Sequence, residues 1–130
     1  MYVYDTNIFL EILLGQSNAQ VSQDALALMN EDRAGIVSSF SLHAIEAIVS
    51  GAGKPIVLQE FLEFVDTHPF LNRYATTFDE ELEIAKLSSR IGLDFDDALQ
   101  YHVAQKLGFT LITFDKHFKK TPGIKVIFPT

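Results

Sequence analysis

Two periods of apolar residues alternate along this chain, and together they divide it into strands and helices. Residues 1–4 read as a short buried strand ending at Asp5, and residues 7–14 follow with the helical spacing of Ile8, Glu11 and Ile12 until Gly15. Residues 17–30 carry the pattern of an amphipathic helix, residues 35–38 are a second apolar strand, and residues 41–50 read as a helix closed by Gly51. Pro55 suits the first turn of the next helix, whose apolar face is Ile56, Leu58, Phe61, Leu62 and Val65. Residues 73–77 are a weaker strand candidate. Residues 79–90 and 95–107 are helical, the second ending at Gly108, and 110–114 form a β-branched strand leading into Asp115. Residues 125–128 make a last short strand.

Strands separated by helices of this length cannot pair as hairpins, so the pattern predicts an α/β fold: a mainly parallel sheet with helices on both faces. In such sheets ligands bind beyond the carboxyl ends of the strands. The length of 130 residues suits one domain spanning residues 1–130. No repeat, low-complexity tract or linker interrupts it. The 48% hydrophobic and 21% charged fractions are those of a globular protein.

Three features of composition change the functional picture. The absence of cysteine removes disulfides, zinc-thiolate sites and cysteine nucleophiles. The N-terminus offers no cationic leader, and its most apolar stretch, residues 8–14, is interrupted by Glu11 and too short to span a bilayer; a cytoplasmic protein without a membrane partner is expected. The net charge of −7 runs against the excess of Lys and Arg usual in proteins that grip nucleic-acid phosphates. A bound divalent metal reverses that local field.

The acids are therefore the residues to place. Asp5 and Asp115 each follow a strand directly, at the ligand-binding edge, where Asp also serves as a helix cap or turn residue. Glu46 falls within Leu42, Ile45, Glu46 and Val49, an i, i+3, i+4, i+7 stripe expected to face the core. A carboxylate there needs a cation, a buried partner or an edge position that reaches water. Asp96 and Asp97 open a helix, where one can cap it and the other is in surplus. Two carboxylates about 4 Å apart repel by roughly 4 kcal/mol at an effective dielectric near 20, so a cluster of them calls for cations or protons. No His is spaced against these acids, and an oxygen-only site selects Mg²⁺ or Mn²⁺ over Zn²⁺.

Other chemistries find little support. His43 and His102 lie within helices, His68 precedes a proline and His117 sits in a Lys-rich loop, all ordinary structural or solvent positions. Ser38, Ser39 and Ser41 lack a G-x-S-x-G elbow, and the phosphate-binding glycine motifs are absent.

At the level of motifs the sequence resembles the PIN-domain family, and within it the compact VapC-type toxin ribonucleases. Val3-Tyr4-Asp5-Thr6-Asn7-Ile8-Phe9-Leu10 resembles the family's first motif, a hydrophobic strand running into D-T-N or D-T-S. Ser38/Ser39 followed by Glu46 resembles the second, Asp97-Ala98-Leu99 with Ala104 and Gly108 the third, and Thr113-Phe114-Asp115 the fourth. The resemblance covers nearly the whole chain, and it assigns the third acidic position to Asp97 rather than Asp96.

That resemblance implies a three-layer α/β/α sandwich with a five-stranded parallel sheet and a Mg²⁺- or Mn²⁺-dependent endoribonuclease. Asp5, Glu46, Asp97 and Asp115 would be catalytic, with the three aspartates as metal ligands. Asn7, Thr113, Asp96 and Lys116 would support them or touch the substrate. Lys116, Lys119, Lys120 and Lys125 form a local basic patch, which either guides RNA or keeps a loop solvated. A homodimer and an inhibiting antitoxin are implied as partners. Two rivals remain: a haloacid-dehalogenase-like phosphatase, which usually carries a second Asp where Asn7 stands, and a PIN-like scaffold that binds RNA or metal without cutting.

Overall fold

A computed structural model describes residues 1–130. The chain runs β1 (Tyr2–Tyr4), α1 (Thr6–Leu13), α2 (Ala19–Leu26), β2 (Gly35–Ser38), α3 (Ser39–Gly51), α4 (Pro55–Thr67), β3 (Leu71–Tyr74), α5 (Phe78–Ile91), α6 (Phe95–Leu107), β4 (Thr110–Ile112), a 3₁₀ turn (Lys116–Lys120) and β5 (Val126–Ile127). All four strand pairings are parallel, in the order β3-β2-β1-β4-β5.

The alternation within β1 shows why both faces are covered. Tyr2 and Tyr4 enter one core, with residues of α1, α2, α3 and α4, while Val3 enters the other, with residues of α5 and α6. The result is the α/β/α sandwich expected. Tyr4 is fully buried and its hydroxyl donates to the carbonyl oxygen of Ala25 at 2.8 Å, so its apolar body fills the core without an orphaned polar tip. At Gly35 a Cβ would stand 2.5 Å from Met29 Sδ and 2.7 Å from the Tyr4 ring, so the start of β2 has room only for glycine. No helix is long and apolar enough to cross a membrane.

Boundaries moved where a cap outweighed periodicity. Helix α3 starts at Ser39 rather than at residue 41, because the Ser38 hydroxyl accepts from the Ser41 amide and fixes the first turn. The third strand occupies Leu71–Tyr74 instead of residues 73–77, since Thr77 and Glu80 form a capping box that claims residue 77 for α5. Helix α2 is shorter than the expected 17–30; its Asn18 N-cap makes no side-chain bond, and Asn30 and Arg33 pair across a turn. Strand β4 ends at Ile112, which leaves Thr113 to serve the site. Ile56 is solvent-exposed, the buried face of α4 being Phe61 and Val65. Helix α6 ends as expected at Gly108, in the left-handed conformation with φ 69°.

Candidate active site

The strand order reverses beside β1, which pairs with β2 on one side and β4 on the other. In open parallel sheets ligands bind at such a switch point, at the carboxyl ends of the two central strands. Asp5 leaves β1 there as the N-cap of α1, with its Oδ1 accepting from the Thr6 amide at 2.8 Å. Thr113, wholly buried just beyond β4, donates from Oγ1 to the other Asp5 oxygen at 2.6 Å and accepts from the Asp115 amide at 3.0 Å. A single hydroxyl thus sets Asp5 and the Asp115 backbone in register.

Asp97 enters from the first turn of α6 and is only 6% exposed. No backbone or side-chain amide or hydroxyl donates to it. The N-cap position of α6 is Asp94, whose side chain makes no capping bond, so neither Asp96 nor Asp97 is used as the cap. Burial, followed by the negative charges of Asp96, Asp115 and Asp5, pushes Asp97 up to about 7. Burial also raises Asp5, against the lowering effect of its bonds from Thr113 and the Thr6 amide. The exposed Asp94 and Asp96 place carboxylate oxygens within 4.8 Å of one another and of Asp97. These acids share one field, and protons or a divalent cation must offset it.

Glu46 stands elsewhere. It is half-buried on α3, takes a hydrogen bond from His43 Nδ1 at 2.9 Å, and lines a groove with Glu63, Asp66 and Arg73 of α4 and β3. The buried stripe of α3 is Ser41, Leu42, Ile45 and Val49, and Glu46 lies at its margin, on the flank that faces α4. What α3 turns toward the site is neutral. Ser41, fully buried, meets Thr6 Oγ1 at 2.8 Å and Ser38 Oγ at 3.2 Å and accepts from Gln100 Nε2 at 2.7 Å, joining α1, α3 and α6.

Sequence reasoning missed His117. Its Nδ1 lies 3.2 Å from Asp115 Oδ1 and 3.9 Å from Asp97 Oδ2, so the expectation that no His is spaced against these acids does not hold. The signal was the D-x-H string: Asp115 Oδ1 accepts from the His117 amide at 2.8 Å, and that Asx turn folds residue 117 back over residue 115. Asn7 is exposed on the first turn of α1, and Lys116 Nζ sits 4.3 Å above the Phe128 ring.

Among solved structures the fold is similar to a protein of a toxin–antitoxin complex from Klebsiella pneumoniae, with TM-score 0.77 and 22% identity over 100% of this chain and 98% of that one. It is similar to VapC20 of Mycobacterium tuberculosis, a toxin that cleaves the sarcin-ricin loop, with TM-score 0.81 and 15% identity over 97% and 98% of the two chains. A third likeness is to a chain of VapBC2 from Rickettsia felis bound to a promoter DNA fragment, with TM-score 0.74 and 20% identity over 97% and 96%. No curated protein sequence matches the chain. A family model described as the PIN domain matches residues 2–124, and the chain belongs to the PIN domain family.

Proposed function

We propose that this protein is a cytoplasmic Mg²⁺- or Mn²⁺-dependent endoribonuclease, the toxin of a toxin–antitoxin pair. The observation that carries the reading is the convergence of Asp5, Asp97 and Asp115 from three separate elements, with Asp97 pushed up to about 7 by burial first and by its acidic neighbours second. Such a set is unfavourable without a cation and suits a hard divalent ion with oxygen ligands. An ion held there supplies positive charge against phosphoryl oxygens and makes water more acidic.

The chain's own residues do the rest. Thr113 fixes the orientation of Asp5, and the Ser41–Gln100–Thr6 contacts hold the starts of α1 and α3 against α6. Asp96 stands exposed beside Asp97, and Asn7 offers an amide on the rim. Lys119, Lys120 and Lys125 are exposed beyond Asp115 and present cations to an RNA backbone on an otherwise acidic protein.

The toxin assignment rests on the neighbours' description as toxins and toxin–antitoxin complexes. An open apolar groove between α1, α2 and α4, lined by Phe9, Ile12, Leu26, Val57 and Phe64 and about 600 Å³ in volume, suits an apolar protein partner. An antitoxin and a second copy of this chain are the protein partners the reading implies. The test is cleavage of a mixed pool of structured RNAs by purified protein with Mg²⁺ or Mn²⁺. Cutting is expected, and it disappears with EDTA and in Asp97→Asn; folded, metal-loaded protein that cuts nothing supports a non-catalytic scaffold instead.

A further inference from the structure

The aspartates account for three sides of the site, and the residue that closes it was expected to be Glu46. The structure brings an imidazole there instead. His117 Nδ1, Asp97 and Asp115 offer ligand atoms that all lie within 4.8 Å of one another. Two ligands of one ion at about 2.1 Å can be at most about 4.2 Å apart. Both His117 separations, 3.2 Å to Asp115 Oδ1 and 3.9 Å to Asp97 Oδ2, fall inside that limit. Independently, the Asp97 carboxylate is nine-tenths buried and takes no hydrogen bond from any amide or hydroxyl, so the groups it faces are the Asp115 carboxyl and the His117 ring.

We infer that His117 is a nitrogen ligand of the metal, making this a mixed oxygen–nitrogen site that prefers Mn²⁺ to Mg²⁺. The chemistry follows from ligand type. Mg²⁺ binds oxygen almost to the exclusion of other donors, whereas imidazole nitrogen strengthens binding of transition ions, Mn²⁺ included. His117 is 74% exposed on a 3₁₀ turn, so its ring can settle onto an ion without disturbing the core. Its backbone is already fixed by the bond from its amide to Asp115. The inference rests on the proposal that the aspartates hold a divalent ion, and adds what the fourth ligand is.

The test uses Mn²⁺ and Mg²⁺ themselves as probes on the full chain. Pulsed electron paramagnetic resonance of the Mn²⁺-loaded protein reads nitrogen coupling directly, and calorimetric titration reads both affinities. The wild type is expected to show ¹⁴N modulation and to bind Mn²⁺ at least about tenfold more tightly than Mg²⁺. His117→Ala is expected to lose the modulation and about tenfold in Mn²⁺ affinity, with Mg²⁺ affinity nearly unchanged. His117→Asp restores an oxygen ligand and recovers binding of both ions without nitrogen coupling. Mn²⁺ bound by the wild type with no ¹⁴N signal, or a signal that survives in His117→Ala, overturns the imidazole ligand and leaves the aspartate site standing. Binding of neither ion, by a folded wild type, overturns both.

Discussion

At the scale of single residues, the site depends on a hydroxyl that owns no charge. Thr113 spends its one proton on Asp5 Oδ2 and a lone pair on the Asp115 amide, fully out of water. Thr113→Val keeps the shape and removes both bonds, leaving a buried carboxylate oxygen and a backbone amide unpaired. The loss is expected to be about 1–3 kcal/mol in unfolding free energy, with weaker metal binding, while Thr113→Ser retains most of both. Chemical denaturation of the two variants checks this, and a Val variant as stable as Ser removes the hydroxyl from the argument. The residue pattern pointed to Asp5 and Asp115 because strand ends in a parallel sheet share one edge, whereas Asp97 was separated from Asp96 only by the resemblance of Asp97-Ala98-Leu99 to the family's third motif. The pattern could not place Glu46, which lies at the margin of the buried Ser41, Leu42, Ile45 and Val49 stripe, where a period alone does not choose between the site and the α4 groove, nor find His117, whose approach depends on one Asx turn rather than on any period.

At the scale of elements, α5 and α6 are held to each other and to the end of β3 by a single carboxylate, that of Glu80 in the first turn of α5. Glu80 closes the α5 capping box through the Thr77 amide and also accepts from Tyr74 Oη at 2.8 Å, His102 Nε2 at 3.0 Å and Lys106 Nζ at 3.3 Å. Burial alone would raise its pKa, but the donors outweigh it and hold the group at about 2. A carboxyl lowered from 4.5 to about 2 stabilises the fold above pH 4.5, and that stability drains away as pH falls toward 2. Glu80→Gln is therefore expected to lose about 2 kcal/mol at neutral pH and little below pH 3, as read by urea denaturation at both pH values. An equal loss at both would mean that packing, not charge, ties these helices. The same box explains an error of sequence reading: T-x-x-E is a helix-start signal, and giving residue 77 to a strand overrode it. Helix α6, by contrast, was legible to its last residue because Gly108 must end it.

At the scale of the whole molecule, the order of strands and helices follows from alternating apolar periods. Parallel pairing follows from the helical crossovers, and the sheet's carboxyl edge follows from both. What periods do not carry is side-chain electrostatics, and there the fold stores a conflict. Asp97 is raised from 3.8 to about 7, so ionising it opposes folding: the penalty is absent below about pH 3.8, grows through the interval, and is complete above about 7. With Glu80 losing its contribution below 4.5, the metal-free protein is expected to be most stable between about pH 4 and 5 and to weaken toward neutrality by roughly 2–4 kcal/mol. The net charge of −7 adds repulsion of the same sign at neutral pH. Asp97→Asn removes the titrating group, so without metal it should melt higher than wild type at pH 7.5 and no higher at pH 4. Mn²⁺ should then raise the wild-type melting temperature at pH 7.5 past that of a variant that gains little from it. Thermal scans of both proteins at the two pH values, with and without Mn²⁺, decide the matter. If Asp97→Asn lowers the metal-free melting temperature at pH 7.5, the carboxylate is a structural support and its ionisation does not oppose folding.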